Sequence, residues 1–379
     1  MNSQRFFRRD KPMAISRRRF LQFTAGGAAA LGVNLFDNPM LRKAFAGAVQ
    51  ETPIIWLAAG ACSGCSVSLL NALAPRIQDV LLDQVIPGHH TELAFHPTVM
   101  AASGDLAMQA MYDTEERPFL LVVEGSITTA DGGRHCEVGE KHGHGITSVE
   151  HLERLGRKAK AVIAVGSCAS FGGVPAANMN PTGSKGAIEV LRAKGINTPA
   201  VNLPGCAIHP DWFIGTVAAL LLGGPEAIKV DEHGRPEMIY KKLIHDNCPL
   251  RGQFDAGQFA QKFGDEGCLY KLGCKGPVTR SNCPEKKFNS GTNWCIDNGH
   301  PCQGCTQPEY PYEQTMWGTV PIKDATPPAA YPPIFTDRKQ KVDVTPAYAA
   351  LAGAAAGVVG ARMFGKKPAE SSQDQDREE

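Results

Sequence analysis

The sequence predicts an α/β protein: a parallel sheet with helices on both faces, followed by a largely irregular segment organised by metal. Three observations predict it. Short, continuous apolar runs alternate with helical patterns over roughly the first two thirds of the chain, the pattern of strands buried on both faces. Several of those runs break at a loop of Gly, Ser and Cys. Downstream, seven of the twelve cysteines fall between His245 and Cys305, where strand-like runs are absent and Gly, Pro and Asn are frequent.

The bulk numbers leave room for two compact domains plus terminal segments in 379 residues. A hydrophobic share of 43% is that of a soluble globular protein. A formal net charge of +1 gives no electrostatic footprint for nucleic acid. Forty glycines and 27 prolines point to long turn-rich stretches. Twelve cysteines in a chain this long are too sparse for a small disulfide scaffold, and clustered cysteines near a histidine favour metal. An exported protein stapled by disulfides is the competing class.

Residues 1–46 read as a twin-arginine signal peptide. The first twenty residues carry seven basic side chains against Asp10 alone. Ser16-Arg17-Arg18-Arg19-Phe20-Leu21-Gln22 follows the export pattern, an apolar run spans Phe23 to Val33, and Ala44-Phe45-Ala46 supplies the cleavage site. A basic amphipathic helix would not place these three features in that order. The twin-arginine route carries folded proteins, which suits cofactors inserted before export.

From 47 to 235 the strands are read in turn. Ile54 to Ala59 is the first, with a Gly/Cys/Ser loop and a helix from about Ser66 behind it. Phe119 to Val123 is the second and ends at Glu124-Gly125-Ser126. Ala161 to Val165 is the third and ends at Gly166-Ser167-Cys168. Pro199 to Leu203 is the fourth and ends at Pro204-Gly205-Cys206. A helical stretch such as Gly186 to Lys194 lies between. In open α/β sheets the ligand site lies beyond the carboxyl ends of the strands. Cys62, Cys65, Cys168 and Cys206 therefore converge on one sheet edge, where four thiolates suit one cubane 4Fe-4S cluster. The neighbouring glycines let backbone N–H groups approach its sulfurs. A structural zinc site with four thiolates is the competing occupant.

The segment 236–325 could hardly bury a core of its own, and metal clusters would replace the missing apolar stabilisation. Its ligands divide by spacing. His245, Cys248, Cys268 and Cys274 make one set; Cys283, Cys295, Cys302 and Cys305 make another. Histidine at iron has precedent and tends to raise the potential. A surface imidazole is the ordinary role of a lone histidine, but His245-x-x-Cys248 in a cysteine-rich segment argues for a ligand. Cys136 is left over and reads as buried and non-ligating. Residues 326–345, with four prolines, read as an extended linker. Residues 346–364 are apolar except Arg362, and Lys366 and Lys367 follow. That pattern reads as a C-terminal membrane anchor helix with its lysines on the cytoplasmic side; a helix docked on a partner is the alternative. A polar tail fills 365–379.

These motifs together resemble the small subunit of periplasmic, twin-arginine-exported nickel–iron hydrogenases of the uptake type. The resemblance rests on Cys62-Ser63-Gly64-Cys65, Glu124-Gly125-Ser126-Ile127, Gly166-Ser167-Cys168, Pro204-Gly205-Cys206, His245-Asp246-Asn247-Cys248, Leu272-Gly273-Cys274-Lys275-Gly276-Pro277 and Gly299-His300-Pro301-Cys302-Gln303-Gly304-Cys305. It implies a flavodoxin-like first domain and a largely irregular iron–sulfur domain. It implies three clusters, all 4Fe-4S: proximal on Cys62, Cys65, Cys168 and Cys206; medial on Cys283, Cys295, Cys302 and Cys305; distal on His245, Cys248, Cys268 and Cys274, near the surface. The nickel–iron site that splits dihydrogen belongs to a separate large subunit, so this chain carries no catalytic residue. Its partners would be that large subunit, in a heterodimer or dimer of heterodimers, and a cytochrome or quinone-linked membrane protein. Localisation would be periplasmic, anchored to the cytoplasmic membrane.

Relatives with proline where Cys295 stands hold a 3Fe-4S medial cluster, so Cys295 implies a full one. Oxygen-tolerant relatives carry extra cysteines where Gly64 and Gly173 stand, which implies ordinary oxygen sensitivity. Glu124 either faces the proximal cluster or the partner, or is a structural carboxylate. Lys241, Lys242, Arg251 and Lys271 would dock an acidic carrier near the exit, or simply be solvated. A related cluster subunit of a quinone-reducing respiratory complex is the second enzyme reading; the C-x-x-C pair and the leader argue against it.

Overall fold

The computed structural model describes residues 50–322 apart from 73–75, 77–83, 87–88, 142, 313–317 and 321. The expected leader at 1–46, linker at 326–345, anchor at 346–364 and tail at 365–379 lie outside the described residues. The strands are β1 Gln50–Ala58, β2 Gln84–Ile86, β3 His89–Phe95, β4 Leu120–Glu124, β5 Ile127–Thr128, β6 Glu137–Lys141, β7 His144–Thr147, β8 Ala161–Val165, β9 Ser184–Lys185 and β10 Ala200–Leu203. The longer helices are α1 Gly64–Leu69, α2 Asp105–Thr114, α3 Ser148–Lys158, α4 Gly166–Phe171, α5 Ala187–Ala193 and α6 Pro210–Gly223. Three short ones follow: α7 Glu237–Tyr240, α8 Arg251–Asp255 and α9 Cys283–Lys286.

One six-stranded sheet runs β10-β8-β4-β1-β3-β2. All its pairings are parallel except β2 with β3. Taken in chain order, the five parallel strands fall 2-1-3-4-5, the flavodoxin arrangement, with its switch point between β1 and β4. The sequence pointed to four of these strands. The fifth, β3, was missed because its first half, His89 to Glu92, is polar. Next to the short edge strand β2 it needs less apolar side chain than the central strands do.

Strand alternation explains the two buried faces. Ile54, Trp56, Leu120, Val122, Ile163 and Leu203 face one way, onto Trp212, Phe213 and Val217 of α6. Ile55, Leu57, Leu121, Val123, Val162 and Ala164 face the other, onto Met108 and Met111 of α2, Leu152 and Leu155 of α3, and Val190 and Leu191 of α5. The first face continues into the second half of the chain through Tyr240, Ile244, Leu269, Trp294 and Cys302. That half has no strand of the sheet among the described residues; short turns and isolated bridges such as Leu243 with Arg280 carry it. Its apolar side chains extend the core of the sheet rather than building a separate one.

Register sets up the site. Ala58 pairs with Glu124, Glu124 with Val165, and Val165 with Leu203, so one row crosses four strands at their carboxyl ends. The loops that carry the first cysteines all leave the sheet at this level.

Candidate metal centres

The loop after β1 delivers Cys62 and the first turn of α1 delivers Cys65, two residues into a helix that starts earlier than the sequence suggested. Cys168 stands in α4 directly after β8, and Cys206 follows β10. The four thiols lie close enough to act electrostatically on one another: Cys168 and Cys206 on Cys65, and Cys206 and Cys62 on Cys168. Two glycines keep the pocket open. A Cβ on Gly166, at φ +85, would lie 2.6 Å from the Cys65 sulfur. One on Gly173, at φ +55, would lie 2.8 Å from the Cys168 nitrogen and 2.9 Å from its sulfur.

Glu124 closes the base of this set. It is 3% exposed. Its carboxylate accepts from the Cys65 and Ser66 backbone N–H groups at 3.0 and 3.1 Å, and from Trp56 Nε1 at 3.0 Å. The Ser66 hydroxyl also donates to it, and lies 3.1 Å from His96 Nε2; the His96 ring stacks on Trp56. The carboxylate therefore holds the start of α1 and, through it, Cys65. That hydrogen-bonded role is the one the structure supports.

The second set is built on irregular chain. Cys283 opens α9, Cys295 follows buried Trp294, and Cys302 and Cys305 lie in a tight loop. Cys295 acts on Cys283, and Cys302 also feels Cys305 and Cys295. The Ser281 hydroxyl lies 3.1 Å from the Cys283 sulfur. In the third set, Ile244, His245, Cys248, Cys268, Tyr270 and Cys274 help line one small recess. His245 is buried, its Nε2 has no hydrogen-bond partner, and burial pulls its pKa down to about 4, so the ring is neutral. A buried, unpartnered imidazole nitrogen beside three thiols has the chemistry of a ligand.

The three sets form a chain. The Cys206 backbone N–H is turned on the Cys305 sulfur, and the Ser167 hydroxyl, which accepts from Gly205 N at 3.0 Å, donates to the Cys305 carbonyl. At the other side the Cys302 backbone N–H is turned on the Cys274 sulfur, and Lys275 N donates to the Cys302 carbonyl at 2.7 Å. The set of Cys283 to Cys305 thus stands between the other two.

Each set fits an inorganic core. Burial pushes the thiols up, Cys168 to about 11 and Cys268 and Cys283 to about 12, and sulfurs of the same set add to the rise. Such crowded sulfurs are stable as thiolates only beside multiple positive charge, which iron supplies. Backbone N–H groups of Ile208, Val174, Leu250, Tyr270 and Gly276 already turn on sulfurs of the sets. Among the described residues no three His, Cys, Asp or Glu side chains close on a point suited to a single ion. All twelve cysteines are free thiols, so the disulfide staple is not the form adopted here.

The family of NiFe/NiFeSe hydrogenase small subunits, in its C-terminal part, matches residues 240–317, across the second and third sets. The NADH ubiquinone oxidoreductase 20 Kd subunit family matches residues 62–220, across the first. The periplasmic [NiFeSe] hydrogenase small subunit of Desulfomicrobium baculatum is 41% identical over 312 residues, covering 79% of this chain and 97% of that one. The chain belongs to the nickel–iron hydrogenase small subunits. The quinone-reactive Ni/Fe-hydrogenase small chain of Wolinella succinogenes is 36% identical over 367 residues, 93% of this chain and 98% of that one. The solved [NiFeSe] hydrogenase structure from Dm. baculatum superposes with a TM-score of 0.65 at 42% identity, covering 69% of this chain and 96% of its counterpart. A respiratory-complex subunit shares only the sheet domain, whereas hydrogenase small subunits match along both halves.

Two expectations for this hydrogenase chain are corrected. Arg251 is not a docking cation: it is 1% exposed, and its guanidinium bonds Asp255 at 3.0 Å and Asp246 at 3.2 Å. Lys241, Lys242 and Lys271 are exposed, with Lys242 bonded to Glu285. Cys136 is half-buried rather than buried and stands at the β6–β7 hairpin, where its carbonyl accepts from Ser148 N. Sequence reasoning missed Trp56, Ser66 and Ser281 because serine and tryptophan carry no metal-ligand signal. It also missed Ser167, although it quoted the motif around it, since what Ser167 bonds lies 138 residues away.

Proposed function

We propose that this chain is the electron-transfer subunit of a nickel–iron hydrogenase and holds three 4Fe-4S clusters. Cys62, Cys65, Cys168 and Cys206 would hold the proximal one; Cys283, Cys295, Cys302 and Cys305 the medial one; His245, Cys248, Cys268 and Cys274 the distal one. Bound clusters supply one-electron carriage, so electrons from dihydrogen oxidised in the large subunit leave through this chain. The observation that carries the reading is the unbroken succession of ligand sets, joined at Cys206–Cys305 and at Cys302–Cys274 and ending at an unpartnered imidazole. The same succession divides the chain by role, with 47–235 facing the partner and 236–325 facing the acceptor.

Exposure supports the placement of the large subunit. Cys62 and Cys206 are exposed, and Val67 on α1 and Leu70 directly after it are 54% and 56% exposed. An apolar rim around half-open thiols suits a covering partner. His245, Cys248, Cys268 and Cys274 are instead buried within this chain. The acceptor is a cytochrome or a quinone-linked membrane protein. Support comes from the quinone-reactive relative, whose match extends well beyond the described residues. No helix among the described residues is long and apolar enough to cross a membrane; residues 346–364 are the proposed anchor, with the body in the periplasm. Gly64 and Gly173 sit against the Cys62 and Cys168 sulfurs with no room for a further thiol at Gly173, which supports ordinary oxygen sensitivity.

Iron and acid-labile sulfide analysis of the heterodimer tests the cofactor reading. About twelve irons on this chain are expected, four for each cluster. A colourless chain with paired cysteines would end it.

A further inference from the structure

Ser281 is wholly buried and stands two residues before Cys283 of the medial set. The chain holds it from both sides. Its own N–H donates to the Lys242 carbonyl at 3.0 Å, beside the bridge between Leu243 and Arg280. The Thr306 hydroxyl donates to the Arg280 carbonyl at 2.9 Å, and Trp212 Nε1 donates to Asn282 Oδ1 at 2.8 Å. Thus fixed, the Ser281 hydroxyl lies 3.1 Å from the Cys283 sulfur, itself buried. Between a hydroxyl and a thiol, either group can donate. A sulfur bound to metal has given up its proton, so only the serine O–H can then do so. The distal set carries an imidazole in place of one thiolate, which lowers its negative charge; the medial set is all thiolate.

We propose that Ser281 is a positioning residue whose hydroxyl donates to the Cys283 sulfur and raises the reduction potential of the medial centre. The inference rests on the reading of this set as cluster ligands. An electron added to a cluster spreads onto its sulfurs, so a donor to a ligand sulfur stabilises the reduced form more than the oxidised one. Both partners are buried, and a hydrogen bond in such a setting is electrostatically stronger than in water. A higher medial potential lets the middle centre take electrons from the proximal one more readily. Backbone N–H groups turn on sulfurs in all three sets. Ser281 differs from them in being a side-chain donor, which a substitution removes while leaving the backbone in place.

The test uses the heterodimer purified with its large subunit, titrated potentiometrically under argon with each reduced cluster followed by EPR. Ser281→Ala should shift the medial reduction equilibrium about tenfold toward the oxidised form, a fall of about 59 mV for one electron. Ser281→Thr, which keeps the hydroxyl, should return it toward the parent. The proximal and distal potentials should stay in place throughout. An intact medial cluster with an unmoved potential in Ser281→Ala overturns the proposal, as does an equal shift at all three centres or a threonine potential as low as that of alanine. Ser281→Gly is the second variant without a hydroxyl, used where the alanine one does not load. If neither keeps a medial cluster, the role of Ser281 is structural and the proposal falls. A parent protein without about twelve irons on this chain would instead sink the cluster reading itself.

Discussion

Glu124 shows how one side chain serves the metal site without being a ligand. Four donors converge on it: Trp56 Nε1, the Cys65 and Ser66 amides, and the Ser66 hydroxyl. A buried donor left without an acceptor costs roughly 1–3 kcal/mol. Glu124→Ala is therefore expected to destabilise the protein by at least about 3 kcal/mol and to lower iron loading of the first set. Glu124→Gln, which keeps one acceptor oxygen, should cost less. Thermal unfolding together with iron content checks both; an alanine variant as stable as the parent and fully loaded would refute the role. His245 is the complementary case, a residue whose significance is the partner it lacks. Its neutral ring and unpartnered Nε2 suit the proposed role of a donor to metal rather than that of a cation at the surface.

Helix α3 illustrates how local sequence fixes an element. Thr147 caps it: its hydroxyl accepts from Glu150 N at 3.2 Å, and the Glu150 carboxylate accepts from Thr147 N at 2.7 Å. Arg157 and Lys158 stand in the last turn, where cations favour the helix dipole. The hydrogen bonds from Thr147 hold the Glu150 carboxyl below its ordinary 4.5. A depressed carboxyl adds stability that is present above its ordinary pKa and lost as pH falls through the folded value. Thr147→Ala should cost about 1 kcal/mol near neutrality and shrink the loss between pH 5 and lower values. Unfolding curves at pH 7 and pH 4 check this, and an unchanged acid dependence would refute it. Because Leu152 and Leu155 of α3 pack under Val162 and Ala164, the cap also steadies the strand that presents Cys168.

Across the molecule, the sheet and the irregular half share one core and meet at thiol-bearing loops. Trp212 Nε1 donates to Asn282 Oδ1 at 2.8 Å, beside Cys283. Tyr240 donates to the Pro204 carbonyl at 2.8 Å, two residues before Cys206. The medial set, enclosed by both halves, is where a change in ligand number is most readily seen. Cys295→Pro should leave three thiolates there, lower the iron content by about one, and create an oxidised 3Fe-4S signal absent from the parent. A strong signal of that kind in the parent itself would refute the full medial cluster. In the Cys295→Pro variant the proximal and distal signals should persist, because their ligands lie in the other two sets.

Local pattern in the chain was enough for the sheet class, four of its five parallel strands and the irregular second half, and it suggested the grouping of twelve candidate ligands that is proposed. These follow from continuous apolar runs, from glycine-bracketed cysteines and from short ligand spacings. The same pattern did not reveal β3, whose polar first half hides its place near the sheet edge. Nor could it show that Arg251 turns inward to two aspartates, that Ser167 and Cys305 meet across 138 residues, or that Lys275 is enclosed between two sets. Those matters were settled by the folded arrangement. Burial and long-range hydrogen bonding depend on what the rest of the chain places nearby, and a residue's own neighbours in sequence carry no record of it.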